Sequence, residues 1–149
     1  MILGLISDTH GLLRLEAVEA LRGSDAIVHA GDVGRPEILD AVRAIAPVTA
    51  IRGNVDTGAW AEALPETATV EIGGVRIHVL HDRKTLRLMP GVRIVVSGHS
   101  HKASAEERGG VLYINPGSEG PVRFKLPVTV ARLDLGRRPW KVEFVNLRA

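Results

Sequence analysis

The chain contains no cysteine. Disulfides and thiolate metal sites are therefore excluded, and any metal site must be built from nitrogen and oxygen donors. Aromatic residues are only 3% of the 149 residues, too few for a base-stacking nucleic-acid platform. Charge of one sign is also missing. The 19 basic and 17 acidic residues leave a formal +2, too little to attract nucleic acid or an anionic membrane on charge alone. Most of the basic residues are arginine, which suits phosphate recognition, but they are scattered rather than gathered into a stripe. Nucleic acid is thus not the expected partner. No apolar run approaches the ~20 residues of a membrane span, and the amino terminus has no basic region of a secretory signal. The expected location is the cytoplasm.

What is present fits one domain over residues 1–149, large enough to bury a core without staples. No repeat or low-complexity linker divides it. In the first half, short apolar runs alternate with helical spacing. Residues 2–6 read as a strand buried on both faces, and residues 26–30 and 48–51 as the second and third strands. Between them, Leu13, Ala17, Val18 and Leu21 form one helical stripe, stopped at Gly23. Ile38, Leu39, Val42 and Ile45 form another, with Pro36 in its first turn and Pro47 closing it. The second half is strand-rich. Residues 69–72 and 75–80 flank Gly73-Gly74, a hairpin signal. Residues 93–96, 111–114, 128–135 and 140–147 complete the set, with 136–139 turning the last two together. The class is α/β, and two facing sheets with helices outside would bury these runs.

Metal-ligand residues fall repeatedly where apolar runs stop. The runs end in Ser7-Asp8-Thr9-His10, in Gly31-Asp32, in Gly53-Asn54-Val55-Asp56, in His81, and in Gly98-His99-Ser100-His101. Functional sites in parallel α/β sheets collect at the carboxyl ends of strands, so five such ends can converge on one crevice. Residues two apart in extended chain point the same way, so Asp8 with His10, and His99 with His101, can each present two donors to one side. Gly31, Gly53 and Gly98 precede donors and permit tight turns and close approach. Taken singly each piece is weak, since Gly-Asp is usually only a turn. Taken together, in order and at strand ends, they describe a metal site. Mixed imidazole and carboxylate donors suit zinc, manganese, iron, nickel or cobalt better than calcium. His29 and His78 do not sit at strand ends and read as structural.

At these residues the sequence resembles the calcineurin-like metallophosphoesterases, whose signature is Asp-x-His, Gly-Asp, Gly-Asn, a later His and Gly-His-x-His. It is most similar to the small YfcE-type phosphodiesterase branch, through Ser7-Asp8-Thr9-His10-Gly11, Arg52-Gly53-Asn54-Val55-Asp56, Gly98-His99-Ser100-His101 and Tyr113-Ile114-Asn115-Pro116-Gly117-Ser118. The resemblance implies a four-layer αββα sandwich with two mixed sheets. It implies a first divalent ion on Asp8, His10, Asp32 and His101. It implies a second on Asp32, Asn54, His81 and His99, with Asp32 bridging. Manganese is the first expectation, with iron, nickel, zinc or cobalt as alternatives. Relatives often form dimers, so a homodimer is an expectation of the same kind.

The sequence departs from the family pattern in two places. Val55 stands where many family phosphatases carry a leaving-group His. The segment Leu80-His81-Asp82-Arg83 replaces the usual Thr-His-Gly-His, and the stretch from His81 to Gly98 is short. Asp82 is read as capping a shortened loop ahead of a role as ligand.

The expected reaction is hydrolysis of a small phosphodiester by a hydroxide bridging the two ions. Asn54 and His99 are the expected catalytic residues, and the Asn54 carboxamide can hydrogen-bond a phosphate oxygen. Two divalent ions less two carboxylates and one hydroxide leave one positive charge, which matches a diester monoanion. The alternatives are a phosphomonoesterase, a nuclease, or a non-enzymatic interaction module like the retromer subunit of the same fold. Intact Asp32 and Asn54 favour chemistry over the module.

Overall fold

The computed structural model describes residues 1–123 and 125–148. Ten strands form two five-stranded sheets. The first sheet contains β1 (Ile2–Ile6), β2 (Ala26–His29), β3 (Val48–Ala50), β9 (Thr129–Asp134) and β10 (Glu143–Asn146), in the order β10-β9-β1-β2-β3. The second contains β4 (Thr67–Ile72), β5 (Val75–Leu80), β6 (Ile94–Val96), β7 (Ser104–Arg108) and β8 (Val111–Asn115), in the order β4-β5-β6-β8-β7. Both sheets are mixed. β1, β2 and β3 run parallel, as do β5, β6 and β8, while the outer pairings are antiparallel.

The alternation of side chains along each strand sorts the core into layers. Leu3 and Leu5 of β1 and Val28 of β2 pack with Ile77, Val79, Ile94, Val96 and Ile114 of the second sheet. The opposite face of the first sheet, with Ile6, Ile27 and Val130, is covered by helices α1 (Leu15–Leu21) and α2 (Pro36–Arg43) through Ala17, Leu21, Ile38, Leu39 and Val42. Gly4 explains how closely α1 lies. A Cβ there would stand 2.7 Å from Ser24 Oγ and 2.9 Å from a Leu21 methyl.

The outer face of the second sheet carries a smaller cluster of Leu80, Val92, Val95 and Val111, packed by Leu86 and Tyr113. Its cover is the segment after His81, whose regular structure among the described residues is one 3-10 turn, Arg83–Thr85. The short stretch noted between His81 and Gly98 thus gives the sandwich a thin fourth layer.

Gly73 and Gly74 both adopt positive φ, as a type I′ turn between β4 and β5 requires. The last expected strand, 140–147, pairs only over Glu143–Asn146. Two elements were not expected from the sequence: β7, exposed along its whole length, and the one-turn helix α3 (Ala59–Glu62).

The candidate metal centre

The site lies at one end of the sandwich, where strands of both sheets release their chains. β1 delivers Asp8 and His10, β2 delivers Asp32, β3 leads to Asn54, β5 leads to His81, and β6 leads to His99 and His101. The loops are stitched to one another beyond the strand ends. Asp8 N–H donates to Gly31 O (3.0 Å), His10 N–H to Asp32 O (2.9 Å) and Gly98 N–H to His81 O (3.0 Å). The sheets are joined here too. His99 N–H donates to Asp8 Oδ2 (3.2 Å), and His81 Nδ1 lies 2.8 Å from Ala30 O.

Each carboxylate has one anchored oxygen and one facing the centre. Asp8 Oδ2 accepts from Ser7 Oγ and His99 N–H, and Asp32 Oδ1 accepts from Val55 N–H. Asp8 Oδ1 is left 3.8 Å from His10 Nε2, 3.9 Å from His81 Nε2 and 3.5 Å from His101 Nε2. Asp32 Oδ2 lies 3.5 Å from His10 Nε2 and 3.0 Å from His81 Nε2, so it stands between two imidazoles. Asp8 Oδ1, His10 Nε2, His81 Nε2 and His101 Nδ1 are all buried without a well-formed hydrogen bond. A buried polar atom left unpaired costs about 1–3 kcal/mol, and three of these, Asp8 Oδ1, His10 Nε2 and His81 Nε2, face one another across the centre, which is what a cation would satisfy. Two sets have the spacing to hold an ion: Asp8, His10 and His101, and Asp8, Asp32 and His81. His81 carries a further mark of a ligand. With Nδ1–H donated to Ala30 O, the lone pair of Nε2 faces the centre.

The backbone is strained at the same residues. Among the described residues, the non-glycine positions with positive φ are Asp8, His10, Asp32, His99 and His101. Such conformations cost on the order of 1–3 kcal/mol each and persist only where the surroundings fix them. The glycines work beside them, through the ligand residues rather than by approaching an ion. A Cβ at Gly98 would press into Ser7 Oγ and stand 2.7 Å from Asp8 Oδ2, and one at Gly53 would collide with the Asp32 backbone and carboxylate.

Burial opposes charge on the His81 ring, but the Asp32 carboxylate, the Ala30 carbonyl and Asp8 outweigh it and push its pKa up to about 9. Burial likewise opposes the Asp32 carboxylate, yet His81, the Val55 N–H and His10 bring it down to about 2. The pair is therefore ionised without a metal, and a cation must compete with the His81 proton. Burial lowers the pKa of His101.

Asn54 and His99 are exposed and form the rim. The His99 ring meets the His81 ring edge-on at 5.2 Å, and Asn54 lines the same hollow as His81. Asp82 accepts from Lys84 N–H and starts the 3-10 turn, the loop role read from the sequence. His78 bonds Thr69 Oγ1 within the sheet. His29 accepts from Gly31 N–H and contacts Thr9 Oγ1, which donates to Val33 O, so it ties two site loops together. Burial lowers its pKa to about 4 and keeps it neutral.

Three supporting residues were given no role in the sequence reading. Buried Asp56 accepts from the N–H groups of Val33, Gly34 and Gly53 and so fastens the Asp32 and Asn54 loops to each other. Asn115 donates to Gly98 O and Ser100 Oγ. Glu119 accepts from Arg14 N–H, and its own N–H holds Ser7 O. The available signal was polar residues just after apolar runs, Asp56 beyond residues 48–51 and Asn115 with Glu119 beyond residues 111–114.

Residues 1–138 match the calcineurin-like phosphoesterase superfamily domain. The chain is 37% identical over 134 residues to a probable metallophosphoesterase of Methanocaldococcus jannaschii, covering 79% of this chain and 68% of that protein. It is 35% identical over 150 residues to a probable metallophosphoesterase of Methanothermobacter thermautotrophicus, covering 90% and 87%. Among solved structures, the fold is similar to an archaeal phosphodiesterase (TM-score 0.79, 22% identity, 97% and 100% of the chains). It is similar to the phosphoesterase YfcE of E. coli (TM-score 0.78, 24% identity, 99% and 94%). It is also similar to zinc-bound Vps29 of Entamoeba histolytica (TM-score 0.72, 22% identity, 99% and 100%).

Proposed function

The chain belongs to the calcineurin-like phosphoesterase superfamily, and from that premise we propose that it hydrolyses small phosphodiesters at a two-metal centre. The observation that carries this reading is the pair of carboxylates, each anchored through one oxygen and facing imidazoles with the other. Asp8, His10, Asp32 and His101 would hold one divalent ion, and Asp32, Asn54, His81 and His99 the other. When bound, the ions supply Lewis-acid activation of water and of the phosphate, with manganese proposed first and iron, nickel, zinc or cobalt as alternatives.

The protein groups do the rest. Asn54 and His99, exposed on the rim, donate hydrogen bonds to non-bridging phosphate oxygens and fix the in-line orientation. Asp8 and Asp32 would cancel two of the four positive charges that two divalent ions bring, leaving a weakly cationic centre suited to a monoanionic diester. Exposed Val55 offers no proton to the leaving group, so esters with good leaving groups react fastest.

A screen of divalent metals against phosphodiesters and phosphomonoesters tests the reading. Manganese-dependent diester hydrolysis is expected, with Asp32→Ala reducing activity by roughly 10³-fold and lowering bound metal. Faster turnover of monoesters would overturn the diester preference. Full activity and metal content in Asp32→Ala would overturn the site.

A further inference from the structure

Two hollows of about 640 Å³ each open beside the centre, and Asp82 borders both. They carry opposite charge. The one beside Asn54 and His81 is lined by the acids Asp56, Glu62, Glu66 and Asp82 against the bases Arg52 and His81, the second of which faces Asp32 in the centre. Arg52 is already paired with Glu66 at 3.1 Å. The one beside His99 is lined by Arg83 and Lys84 against the single acid Asp82, with Ser100, Tyr113 and Asn115 completing the wall.

The cations of the second hollow are only partly neutralised locally. Arg83 lies over the Tyr113 ring, 4.2 Å from its centroid, which fixes the guanidinium. Its acid partner, Glu106, is 3.4 Å away and is shared with Arg108 at the shorter distance of 2.7 Å. One carboxylate therefore serves two guanidinium groups. Asp82 directs one oxygen to the Lys84 backbone N–H. Arg83, one of the two cations behind this asymmetry, lies in the segment Leu80-His81-Asp82-Arg83, where the chain departs from the pattern of the family it resembles.

We propose that the hollow beside His99 receives an anionic arm of the substrate through Arg83 and Lys84, and that the acidic hollow beside Asn54 takes an uncharged arm. The substrate class is then an asymmetric phosphodiester with a second phosphate or carboxylate on one side. A diester straddling the centre has one orientation only, because the reverse would set its anion against Asp56, Glu62 and Glu66. This rests on the diesterase reading above.

The test compares thymidine 3′,5′-bisphosphate with thymidine 5′-monophosphate, which differ by one phosphate. Calorimetric binding to the manganese-loaded protein is measured alongside hydrolysis of their 5′-(4-nitrophenyl) esters. The bisphosphate is expected to bind about tenfold tighter, and its ester to show a KM lower by a similar factor at unchanged kcat, the scale of one or two partly exposed ion pairs. The exposed substitution Lys84→Glu should reverse the preference and Arg83→Ala should weaken it. Each rate is referred to that of the same variant on bis(4-nitrophenyl) phosphate, which has no anionic arm. Glu62→Gln, on the other side, should keep the preference. Equal binding of the two nucleotides by the wild type, or a preference that survives Lys84→Glu, would overturn the proposal. If no ester is hydrolysed, the diesterase reading fails, while the calorimetry still decides the charge of the arm.

Discussion

The centre has a buried half and an open half. Asp8, Asp32, His81 and His101 are buried, the first three anchored by side-chain hydrogen bonds, and Asp8, Asp32 and His101 held at positive φ. Asn54 and His99 are exposed, and only the backbone of His99 is tied down, to Asp8. The buried half is therefore set by folding itself, and its geometry does not wait for a ligand. The open half is free to exchange water for substrate. A substitution in the buried half should disturb fold and chemistry together, whereas one in the open half should separate them.

The largest effect expected on stability is at Asp56, which touches no candidate ion yet fastens two ligand loops. Asp56→Ala leaves three backbone N–H groups without their acceptor and should cost about 3 kcal/mol in urea unfolding. Metal affinity should fall by about 10–100-fold with it. A variant with wild-type unfolding and metal content would erase the distinction between the halves.

Next is the rim. Asn54→Ala should reduce diester turnover by about 100-fold, while the thermal midpoint of the metal-free protein moves by no more than about 2 °C, as for an exposed position. A large fall in the metal-free midpoint would place Asn54 with the buried half.

The last effect is spread over a range of pH and lies at Glu119, which braces the Asp8 loop from behind. Burial raises its pKa from 4.5 to about 8, so the folded protein keeps a proton that the unfolded chain has released. Its stabilising share is complete below about pH 4.5 and is lost as the pH rises toward 8. Glu119→Gln, neutral throughout, should flatten the fall in stability across that window. An unchanged slope would show that the carboxyl ionises normally.

Much of this was legible in the sequence because burial and chemistry both leave local marks. Residues 2–6 are apolar on both faces and proved to be an inner strand, β1, and Gly73-Gly74 dictated a turn. Donors placed just after apolar runs located the centre. What stayed hidden depends on long-range partners. Ser104–Arg108 has no apolar face to read, because an edge strand needs only a neighbour's backbone. Asp56 looks like any turn acid until the Asp32 loop is laid against it. The opposite charges of the two hollows combine residues far apart in the chain, and neither charge pattern is a local run.

The place of β1 in its sheet has a consequence for assembly. It pairs on one side with β2, some twenty residues on, and on the other with β9, where Ile2 meets Asp134. Closing a loop of that size is entropically slow, so the first strand waits for one of the last. Asp8 and His10 directly follow that strand, and the 117–120 turn that grips the backbone of Ser7 and Asp8 comes just before β9. A nascent chain therefore exposes its donors long before it can arrange them. The centre becomes competent only as the final strands dock, which delays chemistry until synthesis of this fold is essentially done.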